Sequence, residues 1–373
     1  MRKMDTLRKS LFRCKACLHN FRLNYRYQAY CNKKEWEPHL VAGIQPTGSL
    51  HVGHYFGVIN QCVKLQNSGH KITMFIADLH SLTTTQEPAR LRRRTLAAAA
   101  ALLAAGLEPA RCTLFAQSAA RAHAELAGRW RAWARRRGWS SCHSSASRAA
   151  ASAHVPLGLL LYPVLQAADI VAQARHRSGG GARDQAPHVQ AGGGAGARVP
   201  LALRARVPRA APAAARPARP PTRLLSLRDP ARKMAKSDPN RKACIFLTDS
   251  DDVIRLKIRK AVTDFTPEVT FDPERRAGVS NLVTLHCLAA ELTPEEAVEE
   301  AGGLSTAQYK ERVAAALIAR LAPIRERALR LEREPRALQA VLAAGAAAAG
   351  ARADRTYLDA ARRMGVAAGG LLV

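Results

Sequence analysis

Two short segments of this 373-residue chain combine residue types that suit the binding of a nucleotide's phosphates. The first, Gly43 to His54 (GIQPTGSLHVGH), lies between an apolar run that predicts a strand and an apolar stretch that predicts a helix. In this order the first free N–H groups of the helix point toward an anion above the end of the strand. His51 and His54 share one helix face, so both can donate hydrogen bonds to a phosphate.

The second segment, Lys233 to Ser237 (KMAKS), supplies positive charge. Lys233 and Lys236 flank a Met-Ala pair, and two ammonium groups in one loop can hold a leaving pyrophosphate. A helix dipole contributes only about 0.3–1 kcal/mol toward an anion, so cations of this kind are needed. Each segment alone has a simpler interpretation, a Gly/Pro turn with surface histidines or a solvated basic loop. Their occurrence together favours an enzyme that uses ATP to activate a carboxylate.

Together the two segments resemble the HIGH and KMSKS sequences of class I aminoacyl-tRNA synthetases, in the same order. Ala235 stands where that family usually has serine, which removes one hydroxyl and leaves both lysines. Further stretches narrow the resemblance to the tryptophanyl-tRNA synthetases of the bacterial and mitochondrial type. These are Ile76–Thr83 (IADLHSLT), Leu159–Ile170 (LLLYPVLQAADI), Ser226–Pro230 and Lys260–Leu282. Tyrosyl-tRNA synthetases share the fold and both nucleotide segments, but the second and last of these stretches argue against them.

The resemblance implies roles for individual residues at the nucleotide. Catalysis falls to His51, His54, Lys233 and Lys236, which would stabilise charge as pyrophosphate leaves. An island at Asp184–His188 resembles the family's GxDQxxH motif, with its glycine displaced to Gly181. The residues implied to bind ATP are Gln45, Pro46, Thr47, Gly53, His54, Asp184, Lys233, Met234, Ala235, Lys236 and Ser237.

The same resemblance implies a tryptophan pocket formed by Gly43, Gln45, Tyr162, Asp169 and Gln185. Asp169 would accept the indole N–H, and Tyr162 would hold the substrate's amino group. A buried carboxylate placed for one donor strongly rejects a ligand that lacks the donor. Without the resemblance we would favour a helix N-cap, or a buried carboxylate satisfied by the protein, for Asp169.

The reaction implied by the resemblance uses ATP with Mg²⁺, L-tryptophan and tRNA(Trp), in a homodimer without a metal site on the protein. Of the eight cysteines, Cys14 and Cys17 form one CxxC pair, and no second pair completes a zinc site. The net charge of +29 favours a polyanionic partner through counterion release. No apolar run is long enough to span a bilayer, so we expect no membrane partner. A synthetase-like RNA-binding protein without catalysis is an alternative of another class.

Residues 1–38 form a basic N-terminal segment in which Leu7, Leu11 and Phe12 could share a helix face. Asp5 is the only acidic residue before Glu35, and the composition resembles a mitochondrial presequence. We therefore predict a protein of the mitochondrial matrix. A basic arm that touches RNA, in a cytoplasmic protein, is the alternative.

The alternation of apolar and helical patterns predicts an α/β fold. Residues 39–230 are expected to form a Rossmann-like catalytic domain with a parallel sheet, and residues 231–280 to hold the lysine loop and the helices after it. An all-helical C-terminal region, 281–373, would be interrupted at Gly302–Gly303 and at Pro323. The resemblance makes this region the part that binds the tRNA anticodon. Within the sheet domain, we predict strands at 40–42, 72–77 and 114–115 and a helix at 91–107.

Two stretches, 128–154 and 172–222, break this pattern. They are rich in Ala, Arg, Gly and Pro and show neither helical nor strand periodicity. One interpretation is a low-complexity linker, but a long structureless stretch inside a catalytic domain is unusual. We favour a second interpretation, that these are GC-rich coding sequence translated out of frame. Part of the active-site wall and the dimer-forming helices would then be missing from the chain.

Overall fold

A computed structural model describes residues 39–131, 157–173, 224–236 and 238–366. All of them belong to one compact unit, residues 39–373. The basic N-terminal segment, most of the two irregular stretches and Ser237 lie outside the described residues. In the described parts, three strands form a parallel sheet in the order β1-β2-β3: β1 (His39–Ile44), β2 (Lys71–Ile76) and β3 (Cys112–Ala116).

Helices make up most of the remaining described structure. A π-helical turn, Tyr55–Ile59, joins α1 to α2, and short 3₁₀ turns cover Gln117–Ala119 and Arg241–Ala243. The α-helices are α1 (Val52–His54), α2 (Asn60–Asn67), α3 (Asp78–Ser81), α4 (Pro88–Ala104), α5 (Arg121–Trp130), α6 (Leu157–Gln173), α7 (Asp251–Arg259), α8 (Ala277–Ala290), α9 (Pro294–Glu299), α10 (Thr306–Glu332) and α11 (Pro335–Met364). No helix of the described ranges combines the length and hydrophobicity that crossing a bilayer requires.

Both faces of the sheet are covered by helices, because alternate side chains of each strand point to opposite faces. Ile72, Met74 and Leu114 belong to the main core, together with the alanines and leucines of α4. Phe75 and Phe115 face the other way and pack with Ala349 of α11. The predicted Rossmann-like arrangement of a parallel sheet between helical layers is therefore confirmed.

The two longest helices extend the core in different directions. Helix α10 packs against α4, α7 and α8, whereas α11 lies on β3 and contacts α5 and α6. At Gly345 the backbone of α11 approaches β3 so closely that a Cβ would lie 1.8 Å from the carbonyl oxygen of Leu114. Arg352, about two turns beyond Gly345, donates to the hydroxyls of Thr113 (3.1 Å) and Thr73 (3.4 Å).

The three predicted strands are present: β1 and β3 extend beyond the predicted residues at both ends, whereas β2 begins and ends one residue earlier than predicted. Some helix boundaries also differ from the prediction. Helix α4 begins at Pro88 rather than Leu91, because the Glu87 carboxylate accepts from the first free N–H groups. It ends at Ala104 rather than Leu107, because Gly106 adopts a φ of 109°, outside the helical region. Pro323 was expected to interrupt the helical region and instead lies inside α10. Buried neighbours such as Leu321 outweigh the cost of about 3 kcal/mol for an internal proline.

The irregular stretches are also shorter than predicted. Helix α5 continues to Trp130, whose side chain is buried, and α6 continues to Gln173. Both ends pack in a small core between α5, α6 and α11. Residues 128–130 and 172–173 therefore belong to helices, and Arg131 caps the end of α5. The remaining parts of both stretches lie outside the described residues.

Candidate active site

The turn after β1 places the first predicted segment at the carboxyl end of the sheet. The N–H of Thr47 donates to the carbonyl of Gln45 (2.9 Å), and Gly48 adopts a φ of 120°, a conformation that favours glycine. Pro46 is buried, Thr47 is half-buried and Gln45 is exposed. These three predicted ATP-binding residues thus line one tight turn, directly before the histidines.

His51 and His54 lie side by side, with ring centroids 3.9 Å apart. The Nδ1 atom of His51 accepts from the N–H of Gly53 (3.0 Å), and Nδ1 of His54 accepts from the N–H of His51 (3.4 Å). Because both Nδ1 atoms accept, each ring carries its hydrogen on Nε2. A Cβ at Gly53 would lie 2.6 Å from the His51 ring, so glycine permits this arrangement. The pair can offer two Nε2–H donors to an anion.

Both imidazoles are uncharged at neutral pH. Burial, followed by the charges of His54 and the two loop lysines, lowers the pKa of His51 to about 3. Burial, followed by the charges of Lys236 and Lys233, lowers the pKa of His54 to about 4. The coupling between these four groups indicates that the histidines and the lysine loop face one shared space.

The lysine loop is held by a short antiparallel pairing between residues 224–226 and 232–234. The N–H of Ser226 donates to the carbonyl of Arg232 (2.9 Å), and the N–H of Met234 donates to that of Leu224 (3.0 Å). Met234 is buried, while Ala235 and Lys236 on its far side are half-buried. The buried methionine anchors the loop and leaves both lysines on its open side.

Asn281 fixes this pairing from the helical region. Its side-chain oxygen accepts from the N–H of Leu225 (2.9 Å), and its amide donates to the Leu225 carbonyl (3.0 Å). Asn281 is buried near the start of α8, where Gly278 packs against the carbonyl of Val262. The stretch containing Asn281 entered the sequence analysis only as a family resemblance, and the structure gives it a positioning role.

A backbone ladder joins the two predicted segments. The N–H of Val52 donates to the carbonyl of Ile245 (3.0 Å), and the N–H of Leu247 donates to the carbonyl of Leu50 (2.8 Å). His51 therefore lies opposite Phe246, a few residues after the lysine loop. This ladder explains how histidines and lysines far apart in sequence reach one site.

The two lysines differ in environment. Burial, followed by the nearby charge of Arg94, lowers the pKa of Lys236 to about 8. Partial burial also lowers the pKa of Lys233, which is the more exposed of the two. When burial and a like charge destabilise the protonated form of a lysine, a bound anion stabilises that form strongly. The site is therefore suited to phosphates.

Asp169 lies at the opposite side of the sheet's carboxyl end, within α6 and almost fully buried. His80 Nε2 lies 2.8 Å from Oδ2 of its carboxylate, and His123 Nδ1 lies 2.7 Å from Oδ1. Gln117 donates to both oxygens, at 2.7 and 2.9 Å. The predicted alternative of a buried carboxylate satisfied by the protein matches this environment, whereas the N-cap does not.

A second layer orients these donors. Gln173 donates from Nε2 to Nε2 of His123 (2.9 Å) and to the carbonyl of Ala349 in α11 (3.1 Å), so Nδ1 of His123 carries the hydrogen that Asp169 accepts. Burial acts to raise the pKa of Asp169, but the hydrogen bonds from His123 and His80 outweigh it and lower that pKa to about 2. The carboxylate is ionised at neutral pH. Gln117 Oε1 is buried without a hydrogen-bond partner in the described structure.

Two other predicted tryptophan-pocket residues adjoin this network. The ring of Tyr162, on the same helix as Asp169, lies edge-on to His80 with centroids 6.4 Å apart. Gly43 in β1 faces Phe75, whose ring a Cβ would meet at 2.5 Å. The Phe75 ring also lies edge-on to the His123 ring, with centroids 6.1 Å apart. Gly43, Tyr162 and Asp169 are thus connected through the aromatic rings between them.

Some of the predicted site residues lie outside the described residues, and some residues that the structure brings to the site were not predicted from the sequence. Asp184, Gln185 and Ser237 lie outside the described residues, so their roles stay predictions. Gln117, His123, Gln173 and Asn281 were missed. His80 carried a signal, because it lies within one of the stretches that resemble the family, but a single sequence offers no sign that Gln117 or Gln173 meets Asp169.

Comparison with known proteins agrees with this geometry. The family model for tRNA synthetases class I (W and Y) matches residues 33–322. Tryptophan–tRNA ligase 1 of Streptomyces coelicolor is 38% identical over 339 residues, covering 87% of this chain and 96% of the relative. The mitochondrial tryptophan–tRNA ligase of Schizosaccharomyces pombe is 32% identical over 310 residues, covering 77% and 84%.

A solved structure is similar over most of the chain as well. Tryptophanyl-tRNA synthetase from Campylobacter jejuni, in complex with ADP and tryptophan, has a TM-score of 0.69 and 26% identity, covering 88% of this chain and 100% of that chain. The sequence segments, the parallel sheet and the histidine–lysine site lead to the same assignment. The chain belongs to the class I aminoacyl-tRNA synthetases, in the tryptophanyl-tRNA synthetase family.

Proposed function

We propose that this chain joins L-tryptophan to tRNA(Trp) in two steps at the site between the histidines and the lysine loop. The observation that carries the proposal is the ladder from Val52 and Leu50 to Ile245 and Leu247, since it brings His51, His54, Lys233 and Lys236 to one space. Uncharged donors beside two lysine ammonium groups together suit a triphosphate. The family's relatives named tryptophan–tRNA ligase support this substrate.

In the first step the tryptophan carboxylate attacks the α-phosphorus of ATP. A carboxylate oxygen–phosphorus bond forms, the bond to the bridging oxygen breaks, and pyrophosphate leaves. Lys233 and Lys236 stabilise the charge on the leaving group, and the Nε2–H groups of His51 and His54 donate to the reacting phosphate. Catalysis rests on positioning and electrostatics, without a covalent enzyme intermediate.

In the second step a hydroxyl of the tRNA's terminal ribose attacks the carbonyl carbon of tryptophanyl-adenylate, and AMP leaves. The walls proposed for the adenylate are Gln45, Pro46 and Thr47, which form the turn beside the histidines. Gly53 and the backbone of Met234 and Ala235 complete this side. Asp184 and Ser237 are proposed ATP contacts on the resemblance alone.

For tryptophan itself we propose Asp169 as the acceptor of the indole N–H, which would replace one of the two hydrogen bonds that the carboxylate accepts from Gln117. Its ionised carboxylate, held in place by His80 and His123, supports this role because a fixed buried acceptor rejects side chains that lack a donor. Tyr162 and Gln185 are proposed to hold the amino group. Gly43 and Gln45 would border the ring and the carboxylate.

Mg²⁺ is proposed to arrive with ATP as part of the substrate. Among the described residues, no group of three or more His, Cys, Asp or Glu side chains is placed to hold a metal ion. Mg²⁺ commonly binds through substrate phosphates and water, with few protein ligands. An ion carried by the phosphates is therefore compatible with the donor set of the described residues.

Other parts of the proposal concern partners and location. The net charge of +29 supports binding of tRNA, and the helical region 281–373 is the proposed anticodon-binding part. A homodimer is proposed from the family resemblance. The basic segment 1–38 and the mitochondrial relative support the mitochondrial matrix, but bacterial relatives match equally well, so the cytoplasm is the alternative.

The test is ATP–pyrophosphate exchange by the full-length protein, with tryptophan and with tyrosine as separate substrates. Exchange that depends on tryptophan, followed by charging of tRNA(Trp), is the expected outcome. Exchange with tyrosine alone would assign the chain to the tyrosyl enzymes. Binding of tRNA with no exchange for either amino acid would favour the non-catalytic RNA-binding protein.

A further inference from the structure

A large basic cavity opens beside the lysine loop. Its volume is about 900 Å³, and it lies between the Thr47–Leu50 turn, helix α4, residues 246–249 and helix α10. Lys236 lines the end nearest the proposed phosphates, and Arg90, Arg93 and Arg94 of α4 line one wall. The volume is at the upper end of the range for ligand pockets, roughly 300–1,000 Å³, so the cavity can hold an ordered ligand.

The charges of this cavity are poorly balanced. Its acidic residues are Asp249, which accepts from Lys257 at 2.6 Å, and Glu332, which is exposed at the last position of α10. Arg94 and Lys236 form no ion pair with any described carboxylate. Partial burial, followed by the charge of Arg90, lowers the pKa of Arg94, so a bound anion would favour the charged guanidinium.

Among the arginines of this wall, Arg94 is the one whose side chain reaches the turn at Gly48. Its Nη2 lies 3.9 Å from the point that a Cβ of Gly48 would occupy. Arg94 is half-buried, whereas Arg90 and Arg93 are exposed. The same guanidinium acts on the charge of Lys236, so Arg94 and the second loop lysine border one space next to the Gly48 turn.

We propose that Arg94 is a phosphate-binding residue that holds the β- and γ-phosphates of ATP, and then the leaving pyrophosphate, together with Lys236. The inference rests on the proposed function, because it assigns a third cation to that site. A guanidinium can bind two phosphate oxygens in a fixed fork, whereas an ammonium acts as a point charge. Arg94 therefore adds orientation to the charge that the lysines supply.

The test is direct binding of inorganic pyrophosphate to the full-length protein by isothermal titration calorimetry. Arg94→Ala is expected to weaken pyrophosphate binding about tenfold, as loss of a charge-assisted hydrogen bond does, and Arg94→Lys by less. Arg92→Ala is the matched control, since Arg92 is exposed on the same helix and does not line the cavity. It removes the same charge and should leave binding unchanged.

The outcomes separate this inference from the proposed function. No measurable pyrophosphate binding by the unaltered protein, or equal weakening by Arg92→Ala and Arg94→Ala, would overturn the role of Arg94. Unchanged pyrophosphate affinity in Arg94→Ala with weakened tRNA binding would assign the cavity to RNA phosphates instead. Arg94-dependent binding without tryptophan-dependent exchange would keep the inference and reject the proposed function.

Discussion

The two ends of the candidate site handle charge in opposite ways. At the phosphate end, Lys236 and Arg94 carry positive charge with no described carboxylate in ion-pair range, and the histidines are held uncharged. At the Asp169 end, a single negative charge is surrounded by donors from the protein. The first end has strong charges that lack partners, and the second has a charge that is already satisfied.

This difference indicates different physical tasks. Repulsion between Lys236 and Arg94 destabilises the protein when the site is empty. A bound anion relieves this repulsion, so the same two charges that lower stability raise the affinity for phosphate. The hydrogen-bonded carboxylate at the other end stabilises the fold and stays in one orientation. Substitutions at the phosphate end should therefore change catalysis most, and substitutions at Asp169 should change folding stability as well.

Removing one cation should give the largest effect. Lys236→Ala is expected to lower the rate of tryptophan-dependent ATP–pyrophosphate exchange by about 10²–10³-fold, because one charge-stabilising group is lost from the leaving phosphates. Lys242→Ala, at an exposed lysine in the 3₁₀ turn Arg241–Ala243, is the control. A loss of less than tenfold in Lys236→Ala would show that Lys236 does not contact the reacting phosphates.

Asp169→Asn should lower the free energy of unfolding by about 2–3 kcal/mol. The amide cannot accept from His80, His123 and Gln117 as the carboxylate does, and its own N–H groups oppose theirs. The measurement is urea unfolding at pH 7, with the exposed Asp354→Asn in α11 as the control. Equal stability of Asp169→Asn and the unaltered protein would contradict the network.

The same residue gives a pH test of the network. Because the pKa of Asp169 is lowered to about 2, its contribution is complete above the unfolded value of about 3.9 and is lost as pH falls toward 2. The stability difference between the unaltered protein and Asp169→Asn should therefore shrink between pH 5 and pH 2. A difference that stays constant over this range would mean that the carboxylate's charge is not its source.

A methyl group at Gly53 should have an intermediate effect on the phosphate end. The Cβ of Gly53→Ala would meet the His51 ring at 2.6 Å and push its Nε2–H out of line. We expect exchange to fall about tenfold, the effect of losing one well-aligned donor. Gly57→Ala is the matched control, because its Cβ has no neighbour within 4 Å, and it should retain full exchange activity.

The smallest expected effect is a dependence of kcat/KM for ATP on pH. Lys236 has a pKa of about 8 in the free protein, and it loses its charge as pH rises through that value, so kcat/KM should be about half its plateau at pH 8. His51 and His54 titrate near 3 and 4 and add no loss between pH 6 and pH 7. In Lys236→Arg the decline should move to higher pH, and an unmoved decline would assign it to another group.

The local features of the site could be predicted from the sequence because they depend on residues close together in the chain. The order of strand, glycine turn and paired histidines follows from the types and spacing of residues 40–54, and the structure has that order. The lysine loop is likewise one short segment. The parallel sheet was predicted from the alternation of apolar runs, because buried strands and amphipathic helices have different periods.

Tertiary structure alone decided which residues meet. Asp169 is contacted by His80, Gln117 and His123, which are 89, 52 and 46 residues away in sequence. No local sequence pattern marks these residues as its partners. Arg94 appears in the sequence as one arginine among several on a helix, and its place beside Gly48 depends on how α4 packs. Pro323 stays helical for the same reason, because burial of its neighbours outweighs a local preference. The sequence by itself thus determined the chemistry available at each segment, whereas long-range packing determined which charges are satisfied and which are left for a ligand.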